Sequence, residues 1–204
     1  AKIPFKEAVK DPRLQASMLA ELNDLFKRGA IKVVDIPPGR RPITCTWAHK
    51  HKHGPNGEYL RSKSRICPRG FEQVPGLDFD EDRVNSPTLH LETAMLMLAM
   101  QAHRNMECAL VDADSAFAGT ANHIDTYMEF PQGMRKEPGK CLLLVNSLNG
   151  LKQGSYDWHE KAASAVQEEG FSPTLPDPCL FYRWRGECLT LIGLYVDDFR
   201  ILSD

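Results

Sequence analysis

An α+β fold built on a mostly antiparallel sheet is what this sequence predicts, and three observations predict it. Helical and strand-like patterns alternate irregularly, without the steady strand–helix rhythm of a parallel sheet. Tight-turn signals, at Gly54-Pro55-Asn56-Gly57 and at Arg185-Gly186-Glu187, join consecutive strand-like runs. Neither a GxGxxG fingerprint nor a GxxxxGKS/T loop is present, so the common doubly wound nucleotide-binding folds lack support.

The elements follow in order. Asp11-Pro12 reads as a helix start with Pro at the first helical position. Leu14, Met18, Leu22, Leu25 and Phe26 recur at helical spacing, and Gly29 closes the helix. Pro37, Pro38 and Gly39 mark a loop. A strand from Ile43 to Lys52 and its return from Glu58 to Cys67 flank the first turn as a basic hairpin. Phe71 to Pro87 is acidic and loop-like. After Ser86-Pro87 the run LETAMLMLAM predicts an apolar helix buried on most sides and ended by Asn105. MECALVD predicts a strand running into the core and finishing at Asp112. YMEFPQGM reads as a short strand and turn, and CLLLVNSL as another strand. Tyr156 to Glu169 predicts an amphipathic helix closed by Gly170. Two strands, CLFYRW and CLTLIGLYV, complete the pattern.

With 204 residues, the chain has room for one substantial core or two small lobes. No apolar run is long enough to span a bilayer, and no secretory leader is read at its start. Six cysteines without CxxC spacing argue against a zinc ribbon and for reduced thiols in an intracellular setting, cytoplasmic or nuclear. The net charge is only −2, yet residues 27–69 hold eleven basic residues against two acids, a local charge of +9. A solvated hairpin edge and a lobe that meets a polyanion both fit that asymmetry.

The acidic remainder contains the chemically suggestive residues. Asp112 ends a strand, and the pair Asp197-Asp198 follows 85 residues later inside LYVDDFRIL. Three carboxylates brought together repel one another unless cations neutralise them. On adjacent strands they would suit hard divalent cations, which take oxygen ligands and share them with substrate phosphates. Asp-Asp is also a common turn dipeptide, so the pair carries weight only in company.

That company is an ordered set of motifs: FKEAVKDPRLQASMLAELNDL, then Trp47, NGEYLRSKSRICPRGFEQVPGLDFDE, VDADSAF, YMEFPQGM, SLNGLKQ with a following Trp, GFSPTLPDPCLF and YVDD. Together they resemble the reverse transcriptase (RNA-directed DNA polymerase) domain of Ty1/copia-type retrotransposon polyproteins over nearly the whole chain. The resemblance implies a right-hand polymerase with fingers and palm, a mostly antiparallel palm sheet with packed helices, and no thumb within these residues. It places fingers at 1–87, palm at 88–120, a return to fingers at 121–154 and the rest of the palm, with the YVDD hairpin, at 155–204. Asp112, Asp197 and Asp198 become catalytic carboxylates binding two Mg²⁺ ions, with Mn²⁺ as a possible substitute. Lys63 and Arg65 would hold the triphosphate, Phe117 would face the sugar of the incoming deoxynucleotide, and Gln153 would contact that nucleotide. Tyr195 and Val196 would lie near the primer terminus. The implied partners are an RNA or DNA template with its primer, a dNTP, and thumb or RNase H parts of a polyprotein; no membrane is implied. The implied locations are the cytoplasm, where a virus-like particle would form, and the nucleus.

His49, His51 and His53 share one strand face, but with no clear fourth ligand they read as strand residues near nucleic acid rather than a zinc site. The chain departs from the family pattern at Asn149, at GSYDW, at AFAGT, at Asp114 and at Pro68. These departures keep a second reading open, a domesticated non-catalytic fragment serving as a scaffold or nucleic-acid-binding subunit.

Overall fold

The computed structural model describes residues 3–204. In chain order the elements are α1 (Phe5–Ala8), α2 (Pro12–Lys27), β1 (Ile31–Asp35), β2 (Cys45–His53), β3 (Tyr59–Pro68), α3 (Leu91–Arg104), β4 (Glu107–Asp112), β5 (Ala121–Met128), β6 (Lys140–Asn146), α4 (Gly154–Glu168), β7 (Ser172–Pro173), β8 (Leu180–Arg185), β9 (Cys188–Tyr195) and β10 (Asp198–Ser203). All strand pairs within the sheets are antiparallel, and helices accompany them. The chain divides into two compact units: residues up to Asp82 with Phe117–Gly154, and Arg83–Ala116 with Ser155–Asp204.

In the first unit, Asp11 caps α2 by accepting from the Arg13 amide at 2.8 Å, and Pro12 occupies the first helical turn. Leu14, Met18 and Leu25 form the buried stripe of α2. Ser17 then ties the helix to the hairpin: its Oγ accepts from the Ser64 amide at 2.8 Å and donates to the Ser62 carbonyl at 3.3 Å. β2 and β3 pair as a two-stranded ribbon, and β1, β6 and β5 form a separate three-stranded sheet in that order. Met18, Leu25, Ile31, Trp47, Ile66, Met128, Leu142 and Leu144 belong to one core cluster.

In the second unit, one five-stranded sheet runs β4-β10-β9-β8-β7. Phe181, Ile192 and Leu194 pack with Ala162, Ala163 and Val166 of α4. Met97 of α3 packs with Leu180, Leu189, Leu191 and Leu202. Gly193 allows that approach, since a Cβ there would meet Met97 Sδ at 2.8 Å and Leu89 at 3.1 Å. Asp177 ties the start of α3 to the start of β8. Its carboxylate accepts from the His90 amide and the Cys179 amide, both at 2.9 Å.

Several expectations need correction. α3 is not buried on most sides: only Met97 is, while Leu91, Met95, Leu96 and Leu98 are exposed. A helix meets a sheet along one stripe, and apolar composition does not supply a second partner for the opposite face. β4 does not run into the core either. It is the edge strand, exposed along all six residues, with Leu110 at 71%. Three strands rather than two complete the chain, because the segment after Asp197-Asp198 turns back as β10. β5 begins at Ala121, earlier than the YMEF run, and β1 was not anticipated.

Candidate active site

The YVDD segment is a two-residue hairpin loop. β9 ends at Tyr195, β10 begins at Asp198, and these two residues pair across the ladder. Val196, the first loop residue, has φ 56°. Such tight loops need positive φ and favour Gly, Asn or Asp there, so a β-branched side chain is strained by about 1–3 kcal/mol. The strain is held from two directions. Trp158 of α4 donates its indole N–H to the Val196 carbonyl at 2.6 Å, and the Ala113 amide donates to the Asp197 carbonyl at 2.9 Å. The second bond joins the loop to the residue that follows Asp112.

β10 lies beside β4 with Asp198 directly opposite Asp112. Like charges directly opposite one another on neighbouring strands oppose folding. Nothing about sheet packing calls for a carboxylate at both positions, and both are exposed. Asp112 and Asp198 line one open groove of about 680 Å³, shared with Leu91, Leu110, Val111 and Tyr195. Asp197 sits in the loop next to them in sequence and is half-buried. The structure therefore brings Asp112 and Asp198 into opposite register and ties Asp197 to that strand end through the main chain. Among the described residues, no group of three or more His, Cys, Asp or Glu side chains is arranged as a ready-made metal site. The donors are still hard oxygens, the type that suits Mg²⁺, which typically keeps several waters and takes one or two protein carboxylates plus substrate phosphates.

The remaining predicted residues lie in the first unit. Ser64, Ile66 and Pro68 are the buried positions of β3, so Lys63 and Arg65 share its opposite face. Glu21 of α2, which the sequence reading did not single out, is their neighbour. Burial pushes its carboxyl above the usual range, while the Ile66 amide and the charges of Arg65 and Lys63 pull it back. Phe117 is half-buried and sits close to Gly154, where an added Cβ would lie 3.4 Å from its ring. Gln153 is only 3% exposed, and its Oε1 accepts from Gln73 Nε2 at 3.0 Å. Gln73 and Asp78 lie within the quoted NGEYLRSKSRICPRGFEQVPGLDFDE run but were not singled out; with the partly exposed Arg40 they form a network of contacts up to 80 residues apart that reaches Gln153.

The histidines have structural partners. His49 Nδ1 lies 3.0 Å from Ser64 Oγ and its ring stacks on Trp47, while His51 Nδ1 lies 3.0 Å from Ser62 Oγ.

Comparison with known proteins agrees with the motif pattern. The family described as reverse transcriptase (RNA-dependent DNA polymerase) matches residues 29–204. The retrovirus-related Pol polyprotein from transposon TNT 1-94 of Nicotiana tabacum is 32% identical over 98% of this chain. That from transposon RE1 of Arabidopsis thaliana is 29% identical over 97%, and the Ty1-DR4 Gag-Pol polyprotein of Saccharomyces cerevisiae is 28% identical over 69%. The chain spans only 15%, 14% and 8% of the length of those three polyproteins. Domains of this family generally work with divalent metal ions. With these matches, the chain belongs to the reverse transcriptase family, as a domain of the Ty1/copia type.

Proposed function

We propose that this chain is the fingers and palm of a copia-type polymerase and that it joins deoxynucleotides to a primer on an RNA or DNA template. The observation that carries this reading is the register of Asp112 against Asp198 beside a strained loop bearing Asp197. The interleaving of two compact units along the chain supports reading the first as fingers and the second as palm.

The residues divide the work. Asp112, Asp197 and Asp198 fit divalent cations, and two such ions, when bound, supply charge neutralisation at the attacking and leaving oxygens. Lys63 and Arg65 hold the triphosphate, Arg65 with the fork geometry that suits phosphate oxygens. Phe117 presents a ring to the sugar, where a 2′-hydroxyl would clash. Gln153 donates to the nucleotide, and Tyr195 and Val196 flank the primer terminus. The primer 3′-hydroxyl attacks the α-phosphate, the bond to the β-phosphate breaks, and pyrophosphate leaves. Much of the acceleration comes from alignment and from a preorganised electrostatic site. We place the chain in a reducing, intracellular setting, where its six cysteines would stay as thiols.

Primer extension tests the reading. The chain is assayed alone and grafted in place of the matching domain of a complete copia-type polyprotein, with RNA template, Mg²⁺ and deoxynucleotides. Extension that disappears on Asp197→Asn is expected. Template–primer binding without extension in either setting would overturn catalysis and favour the scaffold reading.

A further inference from the structure

We infer that Gln73 is a positioning residue for Gln153, fixing which end of the Gln153 carboxamide is offered to the nucleotide; this rests on the function proposed above. The argument begins with an amide whose orientation is set by the main chain. Gln73 is buried, and its Oε1 accepts from the Lys152 amide at 2.9 Å. Its Nε2 donates to the Asp78 carbonyl at 3.2 Å. Exchanging the two ends would set N–H against N–H and oxygen against oxygen, so these two backbone groups permit one orientation only. The second hydrogen on Gln73 Nε2 then points to Gln153, whose Oε1 accepts it at 3.0 Å.

The consequence falls on the other end of Gln153. Its Nε2 is buried and has no hydrogen-bond partner among the described residues. Buried donors are nearly always paired, and an unpaired one opposes folding. Here the surrounding network holds the donor in that condition. An oxygen acceptor on a ligand would complete it. Gly154 follows directly, with the Phe117 ring 3.4 Å from where its Cβ would be. That neighbour, which is proposed to face the sugar, points to a sugar oxygen of the nucleotide as the acceptor.

The network is anchored well beyond the two glutamines. The Asp78 carboxylate accepts from the Val74 amide at 2.9 Å and from Arg40 at 2.8 Å. Arg40 reaches on to the Asp125 carbonyl, and Thr126 donates to the Asp78 carbonyl at 3.2 Å. The turns carrying Gln73 and Gln153 also touch through the main chain. The Gly70 amide donates to the Gly150 carbonyl at 3.1 Å, and a Cβ on Gly70 would come within 2.1 Å of that oxygen. The two turns are therefore held in register independently of the side chains.

Gln73→Glu supplies only acceptors toward Gln153. Gln153 then turns its NH₂ inward and presents oxygen outward, the wrong polarity for a nucleotide oxygen. The measurement is steady-state incorporation by the active polyprotein graft, with KM and kcat separated, alongside dNTP binding to the enzyme–template–primer complex. The expected result is a rise of about tenfold in KM and Kd for dNTP with kcat changed far less. In a Gln153→Ala background the same substitution should add nothing, because its route of action is gone. Gln73→Met, which keeps the volume and removes the polar pairing, serves the same cycle should Gln73→Glu fail to fold. An unchanged KM, or an effect fully additive with Gln153→Ala, overturns the inference while leaving the polymerase reading intact. An unsubstituted graft that neither extends a primer nor binds dNTP overturns both.

Discussion

Val196 is a β-branched residue at φ 56°, and its carbonyl is pinned by Trp158 at 2.6 Å. Asn tolerates this conformation, so Val196→Asn is expected to stabilise the fold by about 1 kcal/mol; thermal unfolding would measure it, and a lower melting temperature would mean that the loop is not strained. Asp177 shows the opposite economy. Burial pushes its carboxyl up, but bonds from Thr93, His90 and Cys179 outweigh this and hold it below the usual value. Asp177→Ala leaves those buried donors without an acceptor and should cost about 3 kcal/mol in denaturant unfolding. His49 and His159 are both held below the ordinary imidazole value by burial. Below about pH 6.5 the unfolded chain therefore takes up protons that the folded protein does not. Stability is full above that pH and declines as pH falls through the window beneath it. Unfolding curves at pH 7.5 and 5.5 should show the decline, and His49→Gln with His159→Gln should flatten it. The adjacency of Asp112 and Asp198 was legible in the sequence because motifs placed each of them at a strand end. Gln73 stood inside a quoted motif, but its contact with Gln153 was not legible, because the two lie 80 residues apart and only the fold brings them together.

Elements whose caps are written locally were the easiest to read. α2 has Asp11 and Pro12 at one end and Gly29, with φ 68°, just beyond the other. The basic hairpin has its Gly-Pro-Asn-Gly turn, and observed strand ends differ from the expected ones by only a residue or two. β10 was hidden because YVDDFRIL reads as one apolar run interrupted by acids, whereas the chain reverses at the acids. α3 and β4 were misjudged because hydrophobicity states that a surface prefers burial, not which surface covers it. Their exposed Leu91, Met95, Leu110 and Val111 predict concentration-dependent self-association of the isolated chain. Light scattering should detect it, and Leu91→Lys with Leu110→Lys should reduce it without lowering the melting temperature. Gly150 has φ 118°, and a Cβ there would meet the Pro68 carbonyl oxygen at 2.4 Å. Backbone cannot yield as a side chain tip does, so Gly150→Ala should cost about 3 kcal/mol or more.

At the scale of the whole molecule, the chain alternates between two compact units. Asp112, Asp197, Asp198, Tyr195 and Val196 lie in the second unit, and Lys63, Arg65, Phe117 and Gln153 lie in the first. The family was legible because its motifs recur in fixed order over nearly the whole chain. The physical reason those motifs sit where they do emerged only from the strand register. The central claim is that carboxylates on β4 and at the β9–β10 loop perform nucleotidyl transfer. It is tested most directly by single-turnover incorporation of one deoxynucleotide in the polyprotein graft, comparing the unsubstituted protein with Asp112→Asn, Asp197→Asn and Asp198→Asn at saturating template–primer. The account predicts a loss of roughly 100-fold or more in the chemical step, with template–primer affinity retained. Incorporation that persists in all three variants, or a loss that only follows weakened binding, would contradict it.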